Sequence, residues 1–409
     1  MTCSLYFHIP FCLHRCAYCD FNTYAGQQDL IPAYVDALCR EIEIVGRRAG
    51  GQVSTVFFGG GTPSLLTPRQ FEQIFAALHA RFDILPDAEI SLEANPGTVR
   101  LDALRALRTL GFNRISFGVQ SFHSDELRQL ERIHSPFDVF DAVTWARRAS
   151  FDNLNLDLIY GLPEQPLDRW TATLRWALSL APEHLSLYAL TIEHGTPFGR
   201  WAARGLLPLP DADAAADMYE RAGEILAAAG FVQYEISNWA RDDRQPSQNP
   251  PLSIVHEPSF ACRHNLTYWR AQPYLGFGAG AHGYFDNLRV ANVLRIKTYI
   301  ERLTNYESTH HESRSRRLSP AVVSLQPVSR ATQMQEVMML GLRLTREGVS
   351  RRGFADRFGV EMTDVFGEEI SELLGLGLLE WVEGEAAQVL RLTPPARLLG
   401  NQVFMRFVG

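Results

Sequence analysis

The sequence is poor in lysine. Lys297 is the only lysine among 409 residues, so nearly all of the basic side chains are arginines. A Walker-type phosphate loop needs a lysine after its glycines, which excludes that kind of nucleotide site. Schiff-base chemistry through a lysine amine could use Lys297 alone.

Long apolar runs are also absent. No stretch of about 18 apolar residues occurs, so the sequence predicts no membrane-spanning helix. A strand-like segment, Ser4–Phe7, follows the first residues without the charged and apolar regions of a secretory signal. The net charge of -7 gives no general attraction to nucleic acid. We therefore expect a cytoplasmic protein of two or three domains, and leave a homodimer and peripheral contact with a membrane open.

Cysteine is scarce but unevenly placed. Three of the six cysteines, Cys12, Cys16 and Cys19, fall in one loop with the spacing C-x3-C-x2-C. The other three, Cys3, Cys39 and Cys262, are scattered. This is the pattern of a metal site in a reducing compartment, not of a disulfide framework.

The loop lacks a close fourth cysteine, since Asp20, Phe21 and Asn22 follow Cys19. Three thiolates from Cys12, Cys16 and Cys19 on a [4Fe-4S] cluster would leave one iron open to an exogenous ligand. The alternative is a zinc site completed by a nearby histidine, His8 or His14.

Short apolar runs alternate with amphipathic runs over the first half of the chain. This alternation predicts an α/β fold with six βα units and a parallel sheet. Thr67 is a plausible N-cap for a helix that begins at Pro68, and Tyr234–Trp239 is predicted as a last strand. The six strands are predicted at Ser4–His8, Val53–Phe58, Ala88–Glu93, Arg114–Val119, Asn153–Ile159 and Leu185–Leu190.

The pattern predicts three regions: a barrel-like region 1–240, a connecting region 241–330 and a C-terminal domain 331–409. The connecting region begins with a polar, proline-rich insertion over 241–259. The last region reads as three helices with a hairpin and a closing helix Pro395–Phe407, which suggests a small winged-helix-like α+β domain. Its 8 arginines against 11 acidic residues argue against DNA binding.

Polar and glycine residues cluster where predicted strands end, which is where α/β folds place their sites. The Gly59–Gly61 turn, followed by Thr62, allows backbone to approach a ligand closely. Four polar side chains lie at or shortly after predicted strand ends: Glu93, Gln120, Arg132 and Asp157. The Glu93 and Asp157 carboxylates can accept hydrogen bonds from hydroxyl or ammonium groups, and Arg132 can bind a carboxylate with two hydrogen bonds.

Two pairs of residues leave their roles open. Tyr6 and Tyr18 flank the cysteines and could contact a bound ligand or pack in the core. His264 stands in the block His-Asn-Leu-Thr-Tyr-Trp, where it could bind an iron centre beside aromatic side chains, or form a hydrogen bond while Tyr268 and Trp269 pack in the core. His282, in a glycine-rich stretch, is a second candidate.

The cysteine spacing resembles the radical S-adenosylmethionine (SAM) superfamily. The resemblance implies a partial (βα)6 barrel, a [4Fe-4S] cluster and SAM bound to the open iron through its amino and carboxylate groups. It also implies an electron donor for the cluster.

Further blocks resemble the oxygen-independent coproporphyrinogen III oxidases. They read YFHIPFC, FFGGGTPS, ISLEANP, RISFGVQSF and LDLIYGLP, between Tyr6 and Thr196. By that resemblance, the SAM-contacting positions are Tyr6, Tyr18, Gly60, Gly61, Thr62, Glu93, Gln120, Arg132, Asp157 and Thr191.

Three departures from the oxidases instead resemble the HemW-type heme chaperones. Phe21 stands where the oxidases carry a further cysteine, the first strand begins within five residues of Met1, and the HNLTYW block is present. This resemblance implies a protein that binds heme, with His264 as a ligand, and transfers it to acceptor proteins. The alternative is a coproporphyrinogen oxidase.

Overall fold

The computed structural model describes residues 2–244, 257–306, 318–384 and 388–408. The chain divides into two compact units. Unit 1 comprises residues 1–182, 188–218 and 273–327, and unit 2 comprises residues 183–187, 219–272 and 328–409. The three regions expected from the sequence, 1–240, 241–330 and 331–409, stay a prediction. Positions 245–256 of the predicted insertion lie outside the described residues.

The strands alternate with helices as predicted, which confirms the α/β class. Within the described residues the strands of the larger sheets are β1 (Thr2–Ile9), β2 (Gln52–Gly60), β3 (Asp83–Ala94), β4 (Arg114–Gln120), β5 (Leu154–Tyr160), β6 (His184–Ala189), β7 (Phe231–Glu235), β8 (Asn238–Arg241), β9 (Tyr274–Phe277), β10 (His282–Phe285), β11 (Leu288–Asn292), β12 (Val322–Pro327), β13 (Val349–Ser350), β14 (Leu379–Glu383) and β15 (Gln388–Leu392). Two short segments at the cysteine loop, Phe11–Cys12 and Tyr24–Ala25, form a separate parallel pair.

The helices carry the amphipathic patterns. They are α1 (Ile31–Ala49), α2 (Pro68–His79), α3 (Leu101–Thr109), α4 (Ser124–Gln129), α5 (Pro136–Arg148), α6 (Leu167–Ser179), α7 (Pro197–Ala203), α8 (Ala212–Ala228), α9 (Arg263–Trp269), α10 (Ile296–Thr304), α11 (Arg330–Gly341), α12 (Arg351–Phe358), α13 (Met362–Gly375) and α14 (Gly400–Met405).

Helix α2 shows how the local sequence fixes an element. Thr67 accepts a hydrogen bond from the Gln70 backbone amide while the Gln70 side chain accepts from Thr67, so the predicted cap is a capping box. Pro68 occupies the first turn, where its missing amide costs nothing. The buried face of the helix carries Phe71, Ile74, Phe75 and Leu78.

The sheet of unit 1 has the order β12-β11-β10-β9-β1-β2-β3-β4-β5. Strands β1 to β5 pair in parallel, as predicted, and β9 pairs in parallel with β1. Strands β9 to β12 then pair antiparallel. We did not predict strands in this part of the connecting region. The barrel form of the parallel sheet stays a prediction.

Strand residues in unit 1 alternate between two faces. Leu5, Phe7 and Ile9 of β1 point to one face and are fully buried, while Tyr6 and His8 point to the other. The apolar face packs among aromatic rings: Phe7 stacks on Phe58 and on Phe277. The opposite face is therefore available to carry polar groups.

The prediction of a single strand over Tyr234–Trp239 is wrong. This segment contains the turn of a hairpin, in which β7 and β8 pair antiparallel, and β8 also pairs antiparallel with β6. The turn forms because the Glu235 carboxylate accepts hydrogen bonds from the Ser237 amide and the Asn238 side chain. A side chain that bonds its own following backbone replaces the ladder with a turn.

The last part of unit 2 has α11, α12 and α13 with a small antiparallel sheet of order β13-β15-β14. Its core contains Met338, Phe354, Phe358, Leu390 and Phe404 among other buried residues. The closing segment is a 3-10 turn, Pro395–Leu399, followed by α14, so the single helix expected over Pro395–Phe407 is interrupted. The winged-helix likeness stays a prediction.

Candidate cofactor site

A cavity of about 390 Å³ in unit 1 collects most of the residues predicted to bind cofactors. All three loop cysteines line it. Of the ten positions expected to contact SAM, nine line the same cavity: Tyr18, Gly60, Gly61, Thr62, Glu93, Gln120, Arg132, Asp157 and Thr191. These residues come from different strand ends, so the fold brings distant sequence positions to one place.

Each cysteine sulfur has a polar neighbour in the protein. Cys12 Sγ lies 3.6 Å from Thr62 Oγ1, Cys19 Sγ lies 3.9 Å from Thr23 Oγ1, and Arg132 Nη1 donates to Cys16 Sγ at 3.4 Å. Hydroxyl and guanidinium donors of this kind stabilise negative charge on sulfur.

The cysteine environment fits a bound cluster. Burial raises the pKa of the Cys12 and Cys19 thiols, so a positive metal centre is needed to hold them as thiolates. Within the described ranges, no three His, Cys, Asp or Glu side chains lie close enough together to hold a single ion.

Backbone hydrogen bonds fix the loop between its cysteines. Gln28 Nε2 donates to the Cys12 carbonyl at 2.7 Å, and Arg15 Nη2 donates to the carbonyls of Cys19 and Phe21. The Cys19 amide donates to the Cys16 carbonyl at 3.2 Å. Because these groups are satisfied within the protein, the sulfurs are held in place before any cofactor binds.

The glycine turn after β2 is required by close packing. Gly60 has φ +109°, and a Cβ there would lie 2.5 Å from the His8 ring. A Cβ on Gly61 would lie 2.6 Å from the Phe11 carbonyl oxygen. A side chain at Gly60 would displace the His8 ring, and one at Gly61 would displace the backbone at Ile9 and Phe11. The glycines are therefore needed whether or not a ligand contacts them.

Glu93 and Asp157 place two carboxyl groups in the cavity. Glu93 accepts a hydrogen bond from the Gly60 amide at 3.0 Å, and burial together with the nearby Asp157 charge raises the pKa of Glu93 to about 7. Asp157 accepts from Ser116 and Asn155, both at 2.8 Å. A cationic ligand such as the SAM ammonium would offset the cost of ionising Glu93.

Arg132 has an unsatisfied donor. Its Nη2 donates to the Gly118 carbonyl at 2.5 Å and its Nη1 to Cys16, but its Nε is buried and has no hydrogen-bond partner among the residues that the structure describes. A buried, unpaired N–H is costly unless a ligand accepts from it. The SAM carboxylate expected here supplies such an acceptor.

Gln120 adopts an unusual backbone conformation at the end of β4. Its φ is +67°, in the region that favours glycine. A Cβ on Gly118 would lie 3.0 Å from Gln120 Nε2 and 3.1 Å from Arg132 Nη2. Gly118 therefore leaves room for the Gln120 and Arg132 side chains to reach the cavity. Gln120, the residue with the unfavourable backbone conformation, lies at the site itself.

The two tyrosines that flank the cysteines, Tyr6 and Tyr18, differ in their position relative to the cavity. Tyr18 lines the cavity, whereas Tyr6 does not. Tyr6 Oη lies 3.0 Å from His8 Nδ1, and His8 Nε2 lies 2.9 Å from the Asn22 carbonyl. Tyr6 therefore reaches the cysteine loop through His8, and its expected contact with SAM stays a prediction.

Several lining residues were not predicted. Ser116 and Gly118 share a face of β4, so strand alternation would have identified them once Gln120 was recognised as the strand's end. Asn95, which belongs to the polar block expected at the end of the third predicted strand, also lines the cavity, as do Thr23, Tyr188 and Glu193. The sequence contexts of Thr23, Tyr188 and Glu193 carry no comparable signal.

The HNLTYW block forms α9 in unit 2. His264 is 1% exposed, and its Nε2 lies 2.8 Å from Tyr268 Oη. The Trp269 ring lies under the Arg343 guanidinium, 4.4 Å from ring centroid to Cζ. Arg343 in turn lies 3.6 Å from the buried Glu235 carboxylate. In this structure the histidine is engaged inside the unit, and its ligation of heme stays a prediction.

His282 differs from His264 in accessibility. It begins β10 in unit 1 and is exposed. By strand pairing it opposes Ala291 of β11. It is therefore the more accessible of the two histidines proposed as heme ligands.

Two family models match the chain. The model of the radical SAM superfamily matches residues 6–177, and that of the HemN C-terminal domain matches residues 328–399. Together with the three-cysteine cavity, the first match defines a radical SAM protein, whose cofactors are a [4Fe-4S] cluster and SAM. The second accounts for the helices and small sheet at the end of unit 2.

Proteins named heme chaperone HemW are similar over the whole chain. The one from Bacillus subtilis is 36% identical and covers 99% of both chains, and the one from Lactococcus lactis is 34% identical over 99% and 97%. The solved structure of coproporphyrinogen III oxidase (HemN) from Escherichia coli is 26% identical, with a TM-score of 0.79 over 99% of this chain and 89% of that one. The chain belongs to the HemW family.

Within the described residues, no helix is both long enough and apolar enough to cross a membrane.

Proposed function

We propose that this protein binds heme and transfers it to acceptor proteins, and that a [4Fe-4S] cluster with SAM supports this role. The proposal is supported by full-length similarity to proteins named heme chaperones and by the cavity that holds the three cysteines with nine expected SAM positions. We further propose a cytoplasmic location and an electron donor for the cluster.

Different residues of the cavity would hold the cluster and SAM. Cys12, Cys16 and Cys19 would hold the cluster, whose open iron binds SAM when both are present. Glu93 would accept from the SAM ammonium, and Arg132 Nε would donate to its carboxylate. These assignments use the donors and acceptors that the protein leaves without sufficient partners.

Heme would need an axial donor, and His264 is the proposed one. Ligation by His264 Nε2 requires the 2.8 Å hydrogen bond to Tyr268 to open first. A hydrogen bond of this kind stabilises the closed form by about 1 kcal/mol, which a metal–nitrogen bond can readily offset. The burial of the ring requires a local rearrangement as well.

Anaerobic reconstitution followed by heme titration tests the proposal. The Soret band should shift on binding, and bound heme should pass to an apo-globin mixed with the loaded protein. The variant His264→Ala should change the Soret maximum and slow the transfer, and His282→Ala tests the second candidate ligand. His79→Ala is the control, since this exposed histidine of α2 does not line the cavity. A parent protein that binds no heme in either cluster state would refute the proposed function.

The alternative is a coproporphyrinogen oxidase, favoured by the structural similarity to that enzyme. Radical chemistry on a propionate needs a near-attack geometry, where small misplacement costs about 100-fold. The departure at Phe21 therefore argues for binding without that reaction. Conversion of coproporphyrinogen with SAM and reductant at enzyme-like rates would establish the alternative.

A further inference from the structure

The end of the cysteine loop is bonded to a part of unit 1 that lies far away in the sequence. Asn22 follows Cys19 by three positions, and its Nδ2 donates to the carbonyls of Ala279 and Leu294, both at 3.1 Å. The first acceptor lies in the turn between β9 and β10, and the second follows β11. We refer to residues 278–281 and 292–294, which carry these acceptors, as the clamp.

The main chain of Asn22 is held from the other side by β1. A carbonyl can only accept, so His8 Nε2 donates to the Asn22 carbonyl at 2.9 Å, and the neutral ring accepts at Nδ1 from Tyr6 Oη at 3.0 Å. Tyr24 Oη adds a hydrogen bond to the Leu294 carbonyl at 3.2 Å. Because its side chain and its main chain are both bonded, Asn22 joins β1 to the clamp.

Gly280 of the clamp leaves the space that Asn22 occupies. Its φ is +80°, and a Cβ at this position would come within 2.9 Å of Asn22 Cγ. Carbon atoms do not pack this closely without repulsion. A side chain at Gly280 would therefore push Asn22 away from its two acceptors.

The clamp is itself fixed by a buried carboxylate on α1. Glu41 is 1% exposed and accepts from the Gly278 amide at 2.8 Å and from Asn292 Nδ2 at 2.9 Å. The hydroxyls of Tyr299 and Ser319 also donate to it, both at 2.7 Å. Moving the clamp would leave some of these buried groups unpaired, which is costly. The clamp therefore offers Asn22 a fixed position.

We infer that Asn22 is a positioning residue for the cluster, and that its bonds to the clamp hold Cys19 where the cluster needs a ligand. The path between them is short, since the Thr23 amide donates to the Phe21 carbonyl at 2.8 Å and Thr23 Oγ1 lies 3.9 Å from Cys19 Sγ. Hydrogen bonds behind a metal ligand orient that ligand and tune the metal. The inference rests on the assignment of the three cysteines to the cluster and not on heme binding.

Asn22→Ala tests the inference without removing a thiol, so the reconstituted full chain should contain as much iron as the parent. Transfer of iron to a chelator should be about tenfold faster, as expected when two hydrogen bonds are lost. The midpoint potential of the cluster should shift, because Cys19 is no longer held. In the metal-free protein, mass spectrometry should show severalfold faster alkylation of Cys19, while Cys39 on α1 reacts at the parent rate.

Asn113 provides a matched control for the loss of an asparagine. Its side chain also joins two backbone groups of unit 1, since it donates to the Ala88 carbonyl and accepts from the Ile90 amide, both at 2.8 Å. It precedes β4, at the opposite end of that strand from Gln120. Asn113→Ala should lower the free energy of unfolding, yet leave iron transfer, midpoint potential and Cys19 alkylation at the parent values.

Gly280→Ala tests the contact itself. It should speed iron transfer as Asn22→Ala does, and the double variant should be no faster than either single variant, because both changes remove the same contact. Gly230 has φ +81° and, in the part of the chain that the structure describes, nothing beyond its chain neighbours lies within 4 Å of a Cβ built there. Gly230→Ala therefore carries the same backbone strain without the contact and should behave like the parent.

Three results would overturn the inference. If Asn22→Ala and Asn113→Ala change iron transfer and midpoint potential equally, the effect is one of general stability. Additive effects of Asn22→Ala and Gly280→Ala would show that they act separately. If Asn22→Ala does not fold, Tyr24→Phe should show smaller changes in the same direction, and parent-like values would count against the clamp.

Failure of the cluster assignment would look different. A parent chain that takes up no iron would refute that assignment, whereas the alkylation rates of Cys19 in the metal-free variants would still test whether Asn22 and the clamp hold this cysteine. Equal Cys19 rates in the parent and in Asn22→Ala would then overturn the inference.

Discussion

The cysteine cavity of unit 1 and helix α9 of unit 2 both carry residues that suggest cofactor binding, yet their polar groups are satisfied differently. In the cavity, Arg132 Nε has no hydrogen-bond partner within the described part of the chain, and Glu93 has a raised pKa. In α9, the His264 ring is buried and bonded to Tyr268. The cavity is prepared for ligands as it stands, whereas α9 has to open before its histidine can bind one.

This comparison predicts that the largest effect comes from the cluster cysteines. Replacing Cys12, Cys16 or Cys19 with serine should abolish iron binding, because each thiolate holds one corner of the cluster. Iron content and absorbance after anaerobic reconstitution measure the effect. Cys39→Ser is the control, since this thiol does not line the cavity. Loss of iron in Cys39→Ser with retention in Cys16→Ser would refute the assignment.

The next largest effect is expected on SAM affinity when Arg132, whose Nε–H is unsatisfied, is replaced. Arg132→Gln should weaken SAM binding by about 10- to 100-fold, the range expected when a charge-assisted hydrogen bond is lost. Arg132→Lys keeps the charge but loses the two-pronged geometry, so it should recover only part of the affinity. Equilibrium binding of SAM to the reduced, reconstituted protein gives both numbers. Equal affinity in the parent and in Arg132→Gln would show that the Nε–H does not meet the ligand.

A smaller effect should appear in the pH dependence of SAM binding. Because burial and Asp157 raise the pKa of Glu93 to about 7, this carboxyl is protonated below that pH and cannot attract an ammonium. SAM affinity should therefore rise with pH up to about 7 and level off above it, falling by up to about tenfold per unit on the acid side. Titrations between pH 5.5 and 8.5, values chosen to span about one and a half units on each side of that pKa, measure this profile.

Two variants check the cause of that profile. Glu93→Gln should bind SAM weakly and without this inflection. Asp157→Asn should move the inflection to lower pH, because the neighbouring negative charge is removed. An unchanged inflection in Glu93→Gln would assign the titration to another group.

The smallest effect should come from α9. Tyr268→Phe removes the hydroxyl that lies 2.8 Å from His264 Nε2 while keeping the ring. The free energy of unfolding should fall by about 1 kcal/mol, and heme affinity should increase severalfold because the histidine no longer has to break that bond. Denaturant unfolding and heme titration test the two parts. Unchanged heme affinity in both Tyr268→Phe and His264→Ala would remove His264 as the ligand.

The sequence predicted those features of the fold and of the site that depend on residues close together in the chain. The capping box at Thr67 and the strand–helix alternation follow from nearby residues, and the cysteine loop, Gly60 and Gly61 lie where strand-end placement requires. The pairings of β9 with β1 and of β11 with β12 join segments far apart in sequence, which local patterns do not reveal. The hairpin of β10 and β11 is local: its turn residues Asp286 and Asn287 both have positive φ, and this pair was a turn signal that our prediction did not use. The orientation of Tyr6 depends on His8 and Asn22, and the burial of His264 on packing in unit 2, which residue types alone do not specify.

The most direct test of the central claim runs two assays on one reconstituted sample. Heme is titrated into one portion, and coproporphyrinogen with SAM and a strong reductant is added to the other. The account predicts stoichiometric heme binding, transfer to an apo-globin and no protoporphyrinogen above the no-enzyme control. Enzyme-like conversion of coproporphyrinogen without heme transfer would contradict it.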